Sequence, residues 1–197
     1  GIRDRSPSVG SEMCIRDRGK TPRVKKEKYL NQFQLQTLLA SLHLENEVNW
    51  DYFILLVAKT GMRFSEALAL TPEDFDFKHQ LVSVSKTWDY KNGTGFLPTK
   101  NLPKSEPIFV NGAVYNSTIN GILKRYCGRL GIPVVSIHGL RHTHASLLLF
   151  AGVSIASVAR RLGHSSINTT QKTYVHIVQE LENQDVDLVM RLLSSLT

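Results

Sequence analysis

Apolar residues between positions 31 and 70 recur at intervals of three and four, which is the spacing of helices that bury one face. The pattern predicts three helices in this stretch. Gly61 ends the second helix, and Pro72 prevents the third from continuing past residue 70. The apolar positions of the first two helices are Phe33, Leu35, Leu38, Leu39 and Leu42, then Trp50, Phe53, Ile54, Val57 and Ala58; the third helix is short and covers residues 64–70.

The period of the pattern shortens towards two between residues 74 and 110, as in strands with one covered face. One strand is predicted over residues 81–84, ending near Lys86, and another over residues 108–110. An Asn-Gly-Thr-Gly stretch at 92–95 supplies turn residues between them. We therefore expect a small antiparallel sheet set among the helices.

Helical spacing returns after the sheet. Helices are predicted over residues 112–130, 138–151, 154–162 and 166–174, and a glycine directly follows each of the first three. Residues 179–197 form an amphipathic stretch that predicts a last helix. Helices, then strands, then helices indicate a mainly α fold with a small antiparallel β-sheet, in the α+β class.

The first 28 residues differ in character from the rest of the chain. The tetrapeptide Ile-Arg-Asp-Arg occurs at 2–5 and again at 15–18, around a Ser-, Pro- and Gly-rich stretch with few apolar residues. Such a segment cannot bury a hydrophobic face, so we expect residues 1–28 to be a disordered or artefactual leader. A genuine basic arm is the alternative. The folded domain is expected over residues 29–178.

Composition and charge exclude few classes of protein. The 197 residues suit one domain, and the formal net charge is +7. Residues 1–28 hold nine basic and four acidic side chains, so +5 of that charge lies there and +2 in the rest. A basic chain is compatible with DNA binding but does not establish it. No apolar run approaches the roughly 20 residues of a membrane span. Two cysteines, Cys14 and Cys127, are too few for a disulfide scaffold. We therefore expect a cytoplasmic protein.

Cutting a DNA strand without a metal makes defined chemical demands. The phosphate gains negative charge in the transition state, so fixed cations must hold its oxygens, and the planar fork of arginine suits this task. A nucleophile must lie in line with the breaking bond, and a proton donor must reach the leaving 5′-oxygen. Candidates of these types fall in three blocks: Thr60-Gly-Met-Arg-Phe-Ser-Glu-Ala-Leu68, Ser136-Ile-His-Gly-Leu-Arg-His-Thr-His-Ala-Ser146 and Leu162-Gly-His-Ser-Ser-Ile-Asn-Thr-Thr-Gln-Lys-Thr-Tyr174.

Together and in this order, the three blocks resemble the tyrosine recombinase family, in particular its phage integrase type, over residues 30–178. The resemblance implies the catalytic-domain fold of that family and a reaction that needs neither metal nor cofactor. It implies that Arg63 and Arg141 bind the scissile phosphate, and that Tyr174 attacks it to form a 3′-phosphotyrosyl bond. Lys86 matches the lysine that protonates the leaving 5′-hydroxyl.

The resemblance also gives roles to two histidines. His138 matches the position that assists proton transfer, and His164 matches the one that hydrogen-bonds a phosphate oxygen. Near His164, the cations Arg160, Arg161 and Lys172 are expected to contact flanking DNA phosphates. For the two arginines, a solvated helix face is the alternative.

Other interpretations of the polar residues stay open. His138 and His142 lie four residues apart, as in a zinc-binding helix, but Gly139 stands where that motif has its catalytic Glu, so no metal is expected. His142 and His144 are expected to pack or cap, with a supporting hydrogen bond in the active site as the alternative for His142. The lysines that compete with Lys86 as proton donor are Lys91, Lys100 and Lys104.

Three functions follow from the resemblance. They are a site-specific recombinase or integrase of a phage or mobile element, a strand-relaxing enzyme like the type IB topoisomerases, and a truncated non-catalytic DNA-binding remnant. Implied partners are double-stranded DNA, further copies in a tetramer on DNA, and an accessory directionality factor. Residues 179–197 would pack on their own domain or dock on a neighbouring copy. Because the family usually carries a DNA-binding domain before the catalytic one, we expect a fragment with weak, salt-dependent DNA affinity.

Overall fold

The computed structural model describes residues 29–97 and 103–174 and is mainly helical. Within these ranges no helix is long and apolar enough to cross a membrane. A 3-10 turn at Pro72–Asp74 joins the first helices to the strands. The remaining elements in chain order are α1 Gln32–Ala40, α2 Trp50–Thr60, α3 Phe64–Leu68, β1 Phe75–Asp76, β2 Leu81–Val82, β3 Thr87–Asp89, β4 Gly95–Leu97, α4 Asn116–Leu130, α5 Ile137–Phe150, α6 Ile155–Arg161 and α7 Ile167–Thr173.

Polar side chains fix the start of five of these helices. Asn31 accepts a hydrogen bond from the backbone N–H of Gln34, whose side chain accepts one from Asn31 in return. Side-chain oxygens at such positions satisfy N–H groups that have no partner within the helix, which stabilises a start by about 1 kcal/mol. The same role is played by Asn49 for α2, Ser136 for α5, Ser154 for α6 and Ser166 for α7.

The strands differ from the single sheet that the pattern predicts. They form two separate antiparallel ladders, one of β1 with β2 and one of β3 with β4. Residues 108–110, predicted as a strand, are not one. The N–H of Ile108 donates to the carbonyl of Leu70, and Phe109 packs edge-on against Phe53 with ring centroids 5.2 Å apart. This apolar run covers the helical core instead of pairing with a strand.

Helix α4 also begins later than predicted, at Asn116 instead of residue 112. Gly112 has a φ of +81°, which a right-handed helix does not contain. Val114 is buried in the core before the helix starts. The apolar residue therefore belongs to the approach to the helix, although its spacing fits the helical pattern.

Within the described ranges, two clusters of buried apolar residues hold the helices together. The larger one surrounds Phe53 of α2, whose ring makes edge-on contacts with Trp50 and Phe64 at 5.6 Å. The smaller one lies where α5 and α6 meet the end of α7. Its buried members are Ala145, Leu149, Val158, Leu162 and Tyr174.

Gly61 makes the turn between α2 and α3 in a conformation that other residues resist. Its φ is +71°, in the left-handed region that glycine occupies without steric cost. A Cβ atom here would lie 2.7 Å from Cδ2 of His144 and 3.1 Å from a methyl carbon of Leu162. Both the backbone angle and the close approach of α5 therefore require glycine.

Substituting Gly61 with alanine is expected to lower the free energy of unfolding by more than the same change at a comparable turn. Gly131 ends α4 with a φ of +66°, and no atom lies within 4 Å of a Cβ placed there. Gly131→Ala should lower the free energy of unfolding by about 1 kcal/mol from backbone strain alone. Gly61→Ala should lose roughly 1–3 kcal/mol more because the methyl group overlaps His144. Urea unfolding of both variants measures the difference, and equal losses would contradict the close packing.

Candidate active site

Arg141 lies inside the protein and joins two turns. It projects from α5, is 3% exposed, and donates from Nη1 to the carbonyl of Gly61 at 2.7 Å and from Nη2 to the carbonyl of Leu162 at 2.6 Å. These carbonyls end α2 and α6, where helix dipoles favour a cation. They compensate for burial of the charge. A guanidinium has five N–H donors, so these two bonds leave it able to hold an anion as well.

Arg63 lies directly before α3 and reaches the second of these turns, the one after α6. Its Nη1 donates to Oε1 of Glu66 at 2.6 Å, and its backbone N–H donates to Oε2 of that carboxylate at 2.8 Å. Its Nη2 donates to the carbonyl of Gly163 at 3.1 Å, next to the carbonyl that Arg141 holds. Because the side chain of Arg63 is 43% exposed, it can meet a ligand from solvent. The two arginines therefore converge on one place.

The two predicted site histidines lie within the electrostatic reach of both arginines. Partial burial lowers the pKa of His138 and of His164, and the positive charges of Arg141 and Arg63 lower both further. Burial, and then the charge of Arg63, also lowers the pKa of the Arg141 guanidinium. The cluster is thus an electropositive site in which the imidazoles tend to be neutral at neutral pH.

Local contacts fix the orientation of these rings. Nδ1 of His164 is 2.6 Å from the hydroxyl oxygen of buried Thr170 in α7. His138 is only partly exposed at the start of α5, and its ring meets that of His142 edge to face, with centroids 4.7 Å apart. Over residues 29–97 and 103–174, no three His, Cys, Asp or Glu side chains come together in a way that could hold a metal ion.

Tyr174, the predicted nucleophile, ends α7 and is 3% exposed. Its ring packs in the smaller apolar cluster, and its hydroxyl lies 2.8 Å from Nδ1 of His142. Burial raises the pKa of Tyr174 to about 12, against the opposing effect of the Arg141 charge. The hydroxyl is therefore protonated at neutral pH, so a nucleophilic role requires that its proton leave during the reaction.

Lys86 is held apart from this cluster. It lies just before β3, and its ammonium pairs with the carboxylate of Asp74 and donates to the hydroxyl of Thr71 at 3.3 Å. Burial alone would raise the pKa of Asp74, but hydrogen bonds from Lys86 and Thr71 outweigh it and lower the pKa overall. Nζ also lies 5.9 Å from the ring centre of Phe96. Of the six predicted catalytic residues, the structure brings five together and places Lys86 in a separate ion pair.

The three cations predicted to contact DNA have different surroundings. Arg160 and Lys172 are exposed on α6 and α7. Arg161 instead donates from Nε to Nε2 of His144 at 3.0 Å. Because Arg Nε can only donate, Nε2 of His144 must accept, and its Nδ1 carries the hydrogen that faces the carbonyl of Ala58 at 3.2 Å. His144 thus links α2, α5 and α6 behind the turns that bind Arg141.

Glu66 has no role among the predicted site residues, and no specific partner was predicted for His142 or His144. Glu66 could have been found, since an acidic residue three positions after Arg63 at a helix start is a local signal. The partners of His142 and His144 come from other helices, up to 86 residues away in sequence, so no local pattern reveals them.

Comparison with known proteins supports the family resemblance. Residues 91–180 match the model of the phage integrase family. A tyrosine recombinase of Thermosipho africanus is 30% identical over 179 residues, covering 83% of this chain and 63% of that protein. The integrase of Staphylococcus phage L54a is 28% identical over 168 residues, 64% of this chain and 48% of the integrase. The chain belongs to the phage integrase family of tyrosine recombinases. It spans less than two thirds of the length of these two relatives.

Solved structures share the fold. The XerH site-specific recombinase, bound to a palindromic difH substrate in a post-cleavage complex, superposes with a TM-score of 0.59 at 22% identity, over 82% of this chain and 53% of XerH. The XerA recombinase gives 0.60 at 21% identity, over 84% of this chain and 66% of XerA. The predicted class, mainly α with small antiparallel β-structure, is confirmed.

Acid should destabilise the protein partly through His144. Burial, and then the charge of Arg161, lowers the pKa of His144 below its ordinary value of 6.5. As the pH falls, the unfolded chain therefore binds this proton before the folded one does, and stability is lost below about pH 6.5. The slope of the free energy of unfolding against pH in this range should therefore be smaller in His144→Gln, by up to about 1.4 kcal/mol per pH unit.

Urea unfolding at pH 5, 6 and 7 measures the slope. His43→Gln, at an exposed position, serves as the matched control. His138 and His164, whose pKa values are also lowered, keep their share of the slope in both variants. An unchanged dependence of stability on pH in His144→Gln would contradict the lowered pKa of His144.

Proposed function

We propose that this chain is the catalytic part of a site-specific DNA recombinase, which cuts and rejoins strands through a 3′-phosphotyrosyl bond at Tyr174. One observation carries the proposal: the guanidinium of Arg141, held by two turn carbonyls, lies within electrostatic reach of both Arg63 and Tyr174. A phosphodiester held by both arginines would lie next to the tyrosine oxygen. The catalytic domain corresponds to residues 29–178.

The arginines would bind the non-bridging oxygens of the scissile phosphate and stabilise the charge that grows on them. Arg141 suits this role because its position is fixed before the ligand arrives, so little reorganisation is needed in the transition state. His164, held by Thr170, would donate a hydrogen bond to a phosphate oxygen, and His138 would assist proton transfer at the exposed edge. Removing one such donor typically lowers the rate by about 10²–10³-fold.

Lys86 would protonate the leaving 5′-oxygen. To do so it must leave the carboxylate of Asp74, so binding of DNA would have to break that ion pair. The lysine directly precedes the two-stranded ladder of β3 and β4, so breaking the pair would require this part of the chain to shift. Exposed Arg160 and Lys172 would contact phosphates beside the scissile one, and Arg161 would do so only if it released His144.

The substrate would be double-stranded DNA at the ends of a phage or other mobile element, by analogy with the phage integrase among the relatives. A tetramer on DNA and an accessory directionality factor belong to the same proposal. Residues 179–197, which would pack on their own domain or dock on a neighbouring copy, lie outside the described residues. Alone, this chain should bind DNA weakly and lose affinity steeply as salt rises, because phosphate contacts dominate.

Nicked suicide duplexes drawn from a randomised pool should trap a covalent protein–DNA adduct. Tyr174→Phe should form none. Arg141→Lys should be slower by at least about 10²-fold, since one ammonium cannot hold both turn carbonyls and a phosphate. Tyr115→Phe, at an exposed tyrosine outside the site, is the control and should react normally.

Two outcomes of this experiment would contradict the proposal. No adduct from any duplex would indicate a non-catalytic remnant, and an adduct in Tyr174→Phe would place the nucleophile elsewhere. In a separate assay, relaxation of supercoiled plasmids of arbitrary sequence would indicate a topoisomerase instead.

Lys86→Met should slow adduct formation by about 10²–10³-fold because the leaving oxygen loses its proton donor. A duplex with sulfur in place of the bridging 5′-oxygen should restore most of the rate, since a thiolate leaves without a proton. Lys91→Met, at an exposed position in the turn after β3, is the matched control. If Lys91→Met were slow and Lys86→Met normal, the proton donor would have been assigned to the wrong lysine.

A further inference from the structure

The hydroxyl of Tyr174 contacts a histidine that is not among the six predicted catalytic residues. The hydroxyl of Tyr174 meets Nδ1 of His142 at 2.8 Å, within normal hydrogen-bond distance. The two residues are 32 positions apart and come from different helices, so this contact is a product of the fold. Their rings also meet edge to face, with centroids 5.7 Å apart.

The surroundings hold both partners in place. The ring of Tyr174 is enclosed by apolar side chains of α5 and α6, which fixes where its oxygen lies. His142 is half-buried on α5, directly after Arg141, whose two bonds to turn carbonyls anchor that part of the helix. On its other side the ring of His142 meets His138 at 4.7 Å. The contact is therefore built into the packing of the site.

The reaction needs a proton acceptor at this oxygen. Burial raises the pKa of Tyr174 to about 12, so only about one hydroxyl in 10⁵ is ionised at pH 7. A base within hydrogen-bond distance removes the need for that rare species, because the proton leaves as the oxygen attacks. A neutral imidazole can accept the proton at Nδ1 while its other nitrogen carries a hydrogen.

We propose that His142 is a catalytic residue that accepts the proton of Tyr174 at Nδ1 as the tyrosine oxygen attacks the phosphate. This inference rests on the proposed function. The bond from phosphorus to the tyrosine oxygen forms, and the bond from phosphorus to the 5′-oxygen breaks. The tyrosine proton goes to His142, while the 5′-oxygen takes a proton from a separate donor, Lys86 in the proposal above. In the rejoining step His142 returns its proton to the tyrosine.

The other site histidines have different partners. Nδ1 of His164 faces Thr170 at 2.6 Å. His144 is committed to Arg161 and the carbonyl of Ala58. His138 contacts the ring of His142, one step further from the tyrosine. His138 can exchange a proton with His142, but only His142 contacts the hydroxyl of Tyr174 directly among these four histidines.

Two substitutions separate proton acceptance from hydrogen bonding alone. Asparagine at position 142 places an oxygen near the position of Nδ1, which accepts a hydrogen bond but not the proton. We expect His142→Ala and His142→Asn both to slow single-turnover adduct formation on the nicked duplex by about 10²–10⁴-fold. His43→Asn, at an exposed position, is the matched control and should react at the wild-type rate.

The duplex with sulfur in place of the bridging 5′-oxygen (the 5′-thio duplex) separates loss of the tyrosine proton from protonation of the leaving group. It should restore Lys86→Met but leave both His142 variants slow, because a better leaving group does not remove the tyrosine proton. Restoration of the His142 variants would overturn the proposal, and so would a His142→Asn rate equal to or above that of the wild type. If the wild-type chain itself formed no adduct, the proposed function would fail, and the inference with it.

A measurement on the wild-type chain covers the case in which the variants do not fold. In ¹⁵N-histidine NMR spectra at neutral pH, Nδ1 of His142 should have the shift of an unprotonated nitrogen that accepts a hydrogen bond. A proton resident on Nδ1 in the neutral ring would mean that it donates to the tyrosine, which overturns the proposal.

Discussion

The site depends on the burial of one positive charge. Arg141 is almost fully enclosed, and burial of a guanidinium is costly unless its N–H groups find acceptors. The acceptors are the carbonyls of Gly61 and Leu162, where α2 and α6 end. Two distant parts of the chain are therefore fixed relative to α5 by a single side chain. Because the bonds are charge-assisted, they resist distortion more than neutral hydrogen bonds do.

The remaining site residues take their positions from that arrangement. The turn after Gly61 delivers Arg63, and the turn after Leu162 delivers both the carbonyl that Arg63 binds and His164. From there α7 leads to Tyr174, which returns to pack against α5. Glycine at 61 lets α5 approach closely enough for the bonds to form. The same short turns thus shape the backbone, hold the cations and carry the chemical groups, so stability and function are coupled in them.

Much of this could be predicted because the signals are local. Apolar spacing and glycines located the helices near their observed bounds, and the three sequence blocks located the cationic cluster. Prediction failed where tertiary contacts decide: residues 108–110 have strand-forming side chains, yet their N–H and apolar surface serve the helical core. The ion pair of Lys86 with Asp74 and the contact of His142 with Tyr174 join residues 12 and 32 positions apart. No periodic pattern encodes such pairs.

If Tyr174 carries the DNA strand during the reaction, the covalent adduct should hold the DNA on that residue. Mass spectrometry of the adduct after nuclease trimming and digestion with trypsin locates the link. We expect a nucleotide joined through its 3′-phosphate to the peptide 173–191, which contains a single tyrosine. A nucleotide on any other peptide, or one joined through its 5′-phosphate, would rule out Tyr174 as the residue that carries the strand.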